Sequence, residues 1–195
     1  SWWARRWEAA MQEMGIGIEM SSAARSASGV KRLEVVPGGI SAAVQDKQMG
    51  SCAIDVRLAT FSSEQWERVA EALSSQQIIA TQLVSGSVPP EVEQLFSDAG
   101  VRLLPSSPAE LACQCSCCSP AACRHLPLIF TLFAEMLADD PTLLLLLRGR
   151  DRQQLLRATS GARPSPGAAA SVADAPPANP GDVKLPASEP EQGLA

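Results

Sequence analysis

Five of the six cysteines stand with the only histidine inside thirteen residues, Cys113-Gln-Cys115-Ser-Cys117-Cys118-Ser-Pro-Ala-Ala-Cys123-Arg-His125. Cys113, Cys115, Cys117 and Cys118 are too close together to staple distant parts of a core, so the pattern favours metal ligation over a disulfide framework. Thiolate sulfur and imidazole nitrogen are the donors that tetrahedral Zn2+ prefers, and a Cys-x-Cys arm followed by a Cys-x-His arm supplies four of them from two short segments. A helix opening beside the second arm favours ionised thiolates through its dipole, and Arg124 between the ligands is placed to offset their surplus negative charge. A lone histidine at a helix start is ordinarily solvated, but its spacing to Cys123 makes His125 a ligand. Cys118 reads as a spare thiol.

Around the cluster the pattern predicts an α+β fold, with a small antiparallel β-meander, surrounding helices and a disordered C-terminal tail. Apolar residues alternate over Lys31–Val36, Ile40–Val44 and Cys52–Leu58, the period of half-buried strands, and Pro37-Gly38-Gly39 is a turn between the first two. Cys52 falls in register with Ile54 and Val56, which makes it a core thiol rather than a ligand. Trp2, Trp3, Trp7, Ala10, Met11 and Met14 sit at helical spacing before Gly15, and their expected role is packing rather than base stacking.

Ser21–Gly29 reads as a loop. Ser62, Gln65 and the Phe61/Trp66 pair predict a capped helix running to about Leu83, and Pro90 opens another that Gly100 ends. Val101–Leu104 is expected to be a short strand. Leu126–Ala138 predicts a mostly buried helix with Pro127 in its first turn, followed by short helices over Leu143–Leu147 and Asp151–Ala158.

The expected organisation is an N-terminal helix, meander and helical region over 1–105, a zinc module with its following helices over 106–158, and an Ala/Pro-rich tail over 159–195. That tail has almost no large apolar side chain and cannot offset the entropy of ordering. The chain carries a net charge of −5, which argues against a strongly basic, nonspecific nucleic-acid binder, although Arg148, Arg150, Arg152 and Arg157 form a local basic group. Arg148, Arg150 and Arg152 are expected in a solvated, salt-bridging loop. No signal peptide or membrane span is visible, so a cytoplasmic protein with no membrane partner is expected. The chain opens on Ser1 rather than Met, which leads us to expect residues upstream.

The chain resembles the SWIM zinc finger proteins, whose motif is Cys-x-Cys, a spacer and Cys-x-His. It is most similar to the bacterial and cyanobacterial SWIM proteins often found with Swi/Snf-type helicases. The likeness runs through Trp2-Trp-Ala-Arg-Arg-Trp7, Ser63-Glu-Gln-Trp-Glu-Arg68, Pro89-Pro-Glu-Val-Glu93, Glu110-Leu-Ala-Cys-Gln-Cys115-Ser-Cys117, Cys123-Arg-His125, and Asp140-Pro-Thr-Leu with Leu147-Arg-Gly-Arg-Asp-Arg152. It spans residues 1–157. The resemblance implies Cys115 and Cys117 as the first ligand pair and Cys123 and His125 as the second. Pairing Cys113 with Cys115 lengthens the spacer from five residues to seven and stays open beside it.

The resemblance also implies a noncatalytic zinc protein that contacts DNA or RNA, a protein partner or both, with a Swi/Snf-type helicase as the protein partner it suggests. Four protein ligands leave no open position for an activated water, which argues against a zinc hydrolase. Two other readings compete with nucleic-acid contact. One is a pure protein-interaction scaffold; the other is a thiol redox switch built on Cys113 or Cys118.

Overall fold

Period-two alternation builds the sheet. In a computed structural model of the chain, which describes residues 1–17, 29–117 and 123–160, β1 (Val30–Val36), β2 (Gly39–Asp46) and β3 (Gly50–Leu58) form the expected meander. A fourth strand, β4 (Leu111–Cys115), joins it, and all neighbours in the order β1-β2-β3-β4 are antiparallel. Ile40, Ala42 and Val44 of β2 and Cys52, Ile54, Val56 and Leu58 of β3 are buried on one face. Their partners in the ladder keep that phase: Ile40 lies opposite Val56, Ala42 opposite Ile54, and Val44 opposite Cys52. Cys52 is a core thiol, as its register predicts.

Seven α-helices occur among the described residues, which with the sheet makes the fold α+β. Helix α1 (Trp2–Glu13) buries Trp3, Trp7, Ala10 and Met11 and packs on α5 (His125–Asp139). Trp7 donates its indole N–H to the Phe130 carbonyl at 3.2 Å and meets Phe133 edge-on, so an amphipathic ring finds both an apolar face and a polar partner. Trp2 is the exposed member of the set. Ser62 caps α2 (Ser63–Ser74) through a reciprocal bond with Gln65, a device that contributes about 1 kcal/mol, and Phe61 packs edge-on against Trp66.

The single helix expected from Ser62 to Leu83 is two helices, α2 and α3 (Gln77–Val84). Ser74 and Ser75 donate their hydroxyls back to the carbonyls of Glu71 and Ala72, and Gln76 takes a non-helical conformation. The adjacent serines thus compete with the helical ladder where it stops. Val101–Leu104 is not a strand: Val101, Leu103 and Leu104 are buried in a bend that follows α4 (Glu91–Asp98).

The last two helices, α6 (Leu143–Leu147) and α7 (Arg152–Thr159), lie where they were expected; α6 lies against β1, and α7 against α2 and α3. Gly38 and Gly149, both at positive φ, converge on Thr60, where an added Cβ would come within 2.7 Å and 3.0 Å of its side chain. These close approaches require glycine at both turns. The described residues all fall within one compact unit. The loop expected over Ser21–Gly29 (except Gly29), the spare thiol Cys118 and the tail from residue 161 onward lie outside them. Among the described residues no helix is long and apolar enough to cross a membrane.

Candidate metal centre

Strand β4 ends on Cys115, and the chain then turns through Ser116 to Cys117. That turn is pinned to the sheet: Ser116 donates its backbone N–H to the Ala53 carbonyl and accepts from the Ala53 N–H through its hydroxyl, both at 2.9 Å. Cys123 and His125 come from the other side, at the start of α5, whose burial through Leu126, Ile129 and Phe130 fixes where that helix begins. A sheet edge and a helix start thus present two donors each.

The Sγ atoms of Cys115, Cys117 and Cys123 and one ring nitrogen of His125 all lie within 4.8 Å of one another. His125 Nδ1 stands 3.2 Å from Cys117 Sγ, 3.7 Å from Cys115 Sγ and 4.0 Å from Cys123 Sγ, and the Cys115 and Cys117 sulfurs are 3.1 Å apart. Donors on one tetrahedral Zn2+ stand roughly 3.5–3.8 Å from each other, given bond lengths of about 2.3 Å to sulfur and about 2.0 Å to nitrogen. The observed separations bracket that range. Cys123 and His125 are buried and Cys115 and Cys117 half-buried, so the donor set fits one metal ion shielded from bulk water.

Cys113 is not in this group. It lies two residues back along β4, opposite Val56, with its side chain packed against the core. The structure therefore gathers the Cys115/Cys117 register of the two that spacing left open.

The two β4 thiols differ in acidity. Burial raises the Cys115 thiol, but hydrogen bonds from the Cys117 side chain and backbone, His125 and Cys123 outweigh it and bring the thiol down to about 6. Burial pushes the Cys113 thiol up, with no opposing partner. A lowered value means that ionised Cys115 stabilises the metal-free fold fully above the ordinary thiol value of 9.0, and that this contribution is lost as pH falls through about 6. In chelator-stripped protein, iodoacetamide at neutral pH should therefore label Cys115 well ahead of Cys113, read by peptide mass. Faster labelling of Cys113 would contradict this assignment.

One residue of the site has no signal in the sequence. Asp46, at the end of β2, places Oδ2 3.0 Å from His125 Nε2 and accepts from the Arg124 guanidinium at 2.6 Å. Its Oδ1 accepts from the backbone N–H groups of Gln48 and Met49 at 2.7 and 3.0 Å. Those two backbone bonds lead the causes that hold its carboxyl well below the usual carboxylate range, with His125 and Arg124 adding to them. Arg124, expected to offset the charge on the thiolates, pairs with Asp46 instead. Asp46 and His125 lie 79 residues apart, and only the fold shows that the β2–β3 hairpin reaches the second arm.

The arginines after α6 also differ from expectation. Arg148 is buried at 2% exposure rather than solvated, and it donates to the carbonyls of Leu103 and Ala59 and to the Glu110 carboxylate. Arg150 lies over the Trp66 ring, and Arg152 donates to the carbonyls of Leu83 and Val84.

Over 167 residues, or 84% of its length, the chain is 34% identical to the uncharacterized protein Rv2102 of Mycobacterium tuberculosis. The chain spans about 60% of that relative's length. No family model and no solved structure matches the chain.

Proposed function

We propose that this chain is a noncatalytic, zinc-binding protein of the SWIM type whose metal pins the β4 turn to the start of α5 so that the module can hold a macromolecular partner. The observation that carries the reading is the convergence of three cysteine sulfurs and one imidazole nitrogen, from a Cys-x-Cys and a Cys-x-His arm, within 4.8 Å. Three soft thiolates favour Zn2+ over hard cations, and four protein ligands leave no coordination position for a reacting water. The partner we propose is a nucleic acid, a protein or both, with a Swi/Snf-type helicase as the protein in view. Purified protein should hold about one zinc per chain by elemental analysis; zinc-free protein that takes up none on titration would refute the reading.

Contact with protein alone, without nucleic acid, is favoured by the arginines. Arg148, Arg150 and Arg152, the basic group nearest the site in sequence, are engaged within the chain by carbonyls, a carboxylate and an aromatic ring. Phosphate contact needs guanidinium groups free to release counterions. A salt series with duplex DNA and single-stranded RNA separates the two readings. No binding even at low salt supports a protein partner, whereas binding that weakens steeply with salt supports nucleic acid. The redox-switch alternative loses support at Cys113, whose thiol burial keeps protonated.

A further inference from the structure

We infer that Asp46 is the positioning residue of the metal centre, holding His125 in the one tautomer and orientation that turns Nδ1 toward the three sulfurs. This inference rests on the zinc reading and adds a residue that neither the ligand motif nor the resemblance supplies. Neutral imidazole carries one N–H and one lone pair, and the bond at one nitrogen decides which group the other presents. Here Nε2 faces a carboxylate oxygen, an acceptor without a proton to give, so the ring proton sits on Nε2 and the lone pair on Nδ1. Nδ1 is the atom 3.2–4.0 Å from the three sulfurs.

Asp46 is itself held at both oxygens. Two backbone N–H groups of its own hairpin fix Oδ1 and Arg124 holds Oδ2, so the carboxylate cannot swing away from the ring. The side chains of Asp46 and His125 are 11% and 5% exposed, and water competes weakly for the bond between them. The geometry makes the β2–β3 hairpin the third element of the centre, beside the β4 turn and the start of α5.

A carboxylate at the corner of a hairpin also has a plain structural use, as cap for the turn. Asp46→Asn separates the two roles. Asn keeps an oxygen for the Gln48 and Met49 amides, but it then turns an NH2 toward Nε2 and favours the tautomer with its proton on Nδ1. Partners of this kind typically contribute 10- to 100-fold to metal affinity, and the variant should bind Co2+ and Zn2+ weaker by about that factor. The variant also loses the charge on the bonds to Gln48, Met49 and Arg124, so the affinities are compared well below the metal-free melting temperatures of both proteins.

Affinity is read by competition with a chromophoric chelator, and the site by the Co2+ absorption of three sulfurs and one nitrogen. Long-range proton–nitrogen NMR of the unsubstituted protein supplies a readout that needs no variant. His125 should carry its proton on Nε2 in the metal-free state and keep it there with Zn2+ bound. Stoichiometric binding by the parent with Asp46→Asn within about threefold of it, or a His125 proton on Nδ1, would overturn the role of Asp46 alone. A parent protein that binds neither Co2+ nor Zn2+ would overturn the zinc reading and this inference together.

Discussion

On the proposed zinc reading, replacing Cys117 by Ser should leave the protein without metal, and replacing Cys113 by Ser should leave the metal in place. Both thiols lie close to Cys115 in sequence, and both satisfy a Cys-x-Cys pattern with it. They differ in where β4 and its turn carry them. Cys117 Sγ is 3.1 Å from the Cys115 sulfur and 3.2 Å from the His125 ring, whereas Cys113 sits within the strand against core side chains. Structural zinc sites bind with an apparent free energy of about 10–16 kcal/mol. Removing one of four ligands on an equal share costs about 2.5–4 kcal/mol, roughly two to three orders of magnitude in affinity. Elemental analysis after dialysis against a weak chelator should read about one zinc per chain for Cys113→Ser and close to none for Cys117→Ser. The reverse result would move the site to the Cys113/Cys115 register, against the geometry.

Chelation should lower the melting temperature of the parent protein without unfolding it at ambient temperature. Metal that binds only the folded state adds to stability by mass action. The buried cluster through Trp7, Ile54, Phe130 and Leu144 is built by side chains outside the ligand loop and needs no metal to pack. This separates the chain from small zinc fingers, whose folding free energy is the binding free energy.

The parts of the fold that local chemistry decides were legible in the residues. Ile40, Ala42 and Val44 against Ile54, Val56 and Leu58 could only be strands of one sheet, because a one-residue slip would turn the whole row out to solvent. Ser62 with Gln65 marks a helix start by a reciprocal bond between neighbours in sequence. What escaped was set by distant partners. The alternation Leu111, Cys113, Cys115 is a strand signal, but it is short and coincides with the spacing of metal ligands; β3 supplies the ladder that makes it β4. Val101, Leu103 and Leu104 are apolar enough for a strand, yet they are buried in a bend without one.

The site divides in the same way. Cys115, Cys117, Cys123 and His125 could be named because each arm is a local motif. Asp46 could not, because its link to His125 spans 79 residues and passes through a hairpin corner. Arg148 failed for a similar reason. In the sequence it stands among other arginines, and in the fold it alone among them is drawn fully inside.

Arg148→Ala should destabilise the fold by about 3–5 kcal/mol, the range found when one partner of a buried ion pair is removed. The guanidinium fills a junction that no smaller cation can. Its Nε donates to the Leu103 carbonyl at 2.9 Å, Nη1 to the Ala59 carbonyl at 2.8 Å and Nη2 to the Glu110 carboxylate at 3.0 Å, while its flat face lies 4.9 Å from the Phe61 ring centre. Those contacts tie the end of α6 to the bend after α4, the end of β3 and the short turn Pro108–Glu110 that opens β4. Alanine would leave two carbonyls and one oxygen of the Glu110 carboxylate without their donor, each costing about 1–3 kcal/mol where water cannot replace it, and a cavity beside Phe61 as well. Glu110 is 27% exposed and recovers part of its hydration, so the two carbonyls carry most of the loss. For a chain of this size the melting temperature should fall by roughly 10 °C. Arg148→Lys should recover only part of it, because one ammonium cannot serve three acceptors held by a planar fork. Because Glu110 lies immediately before β4, the same substitution should loosen the strand that ends in Cys115 and weaken zinc binding without touching a ligand. Equal zinc affinity in Arg148→Ala and the parent, measured well below both melting points, would show that β4 is held by its ladder to β3 alone.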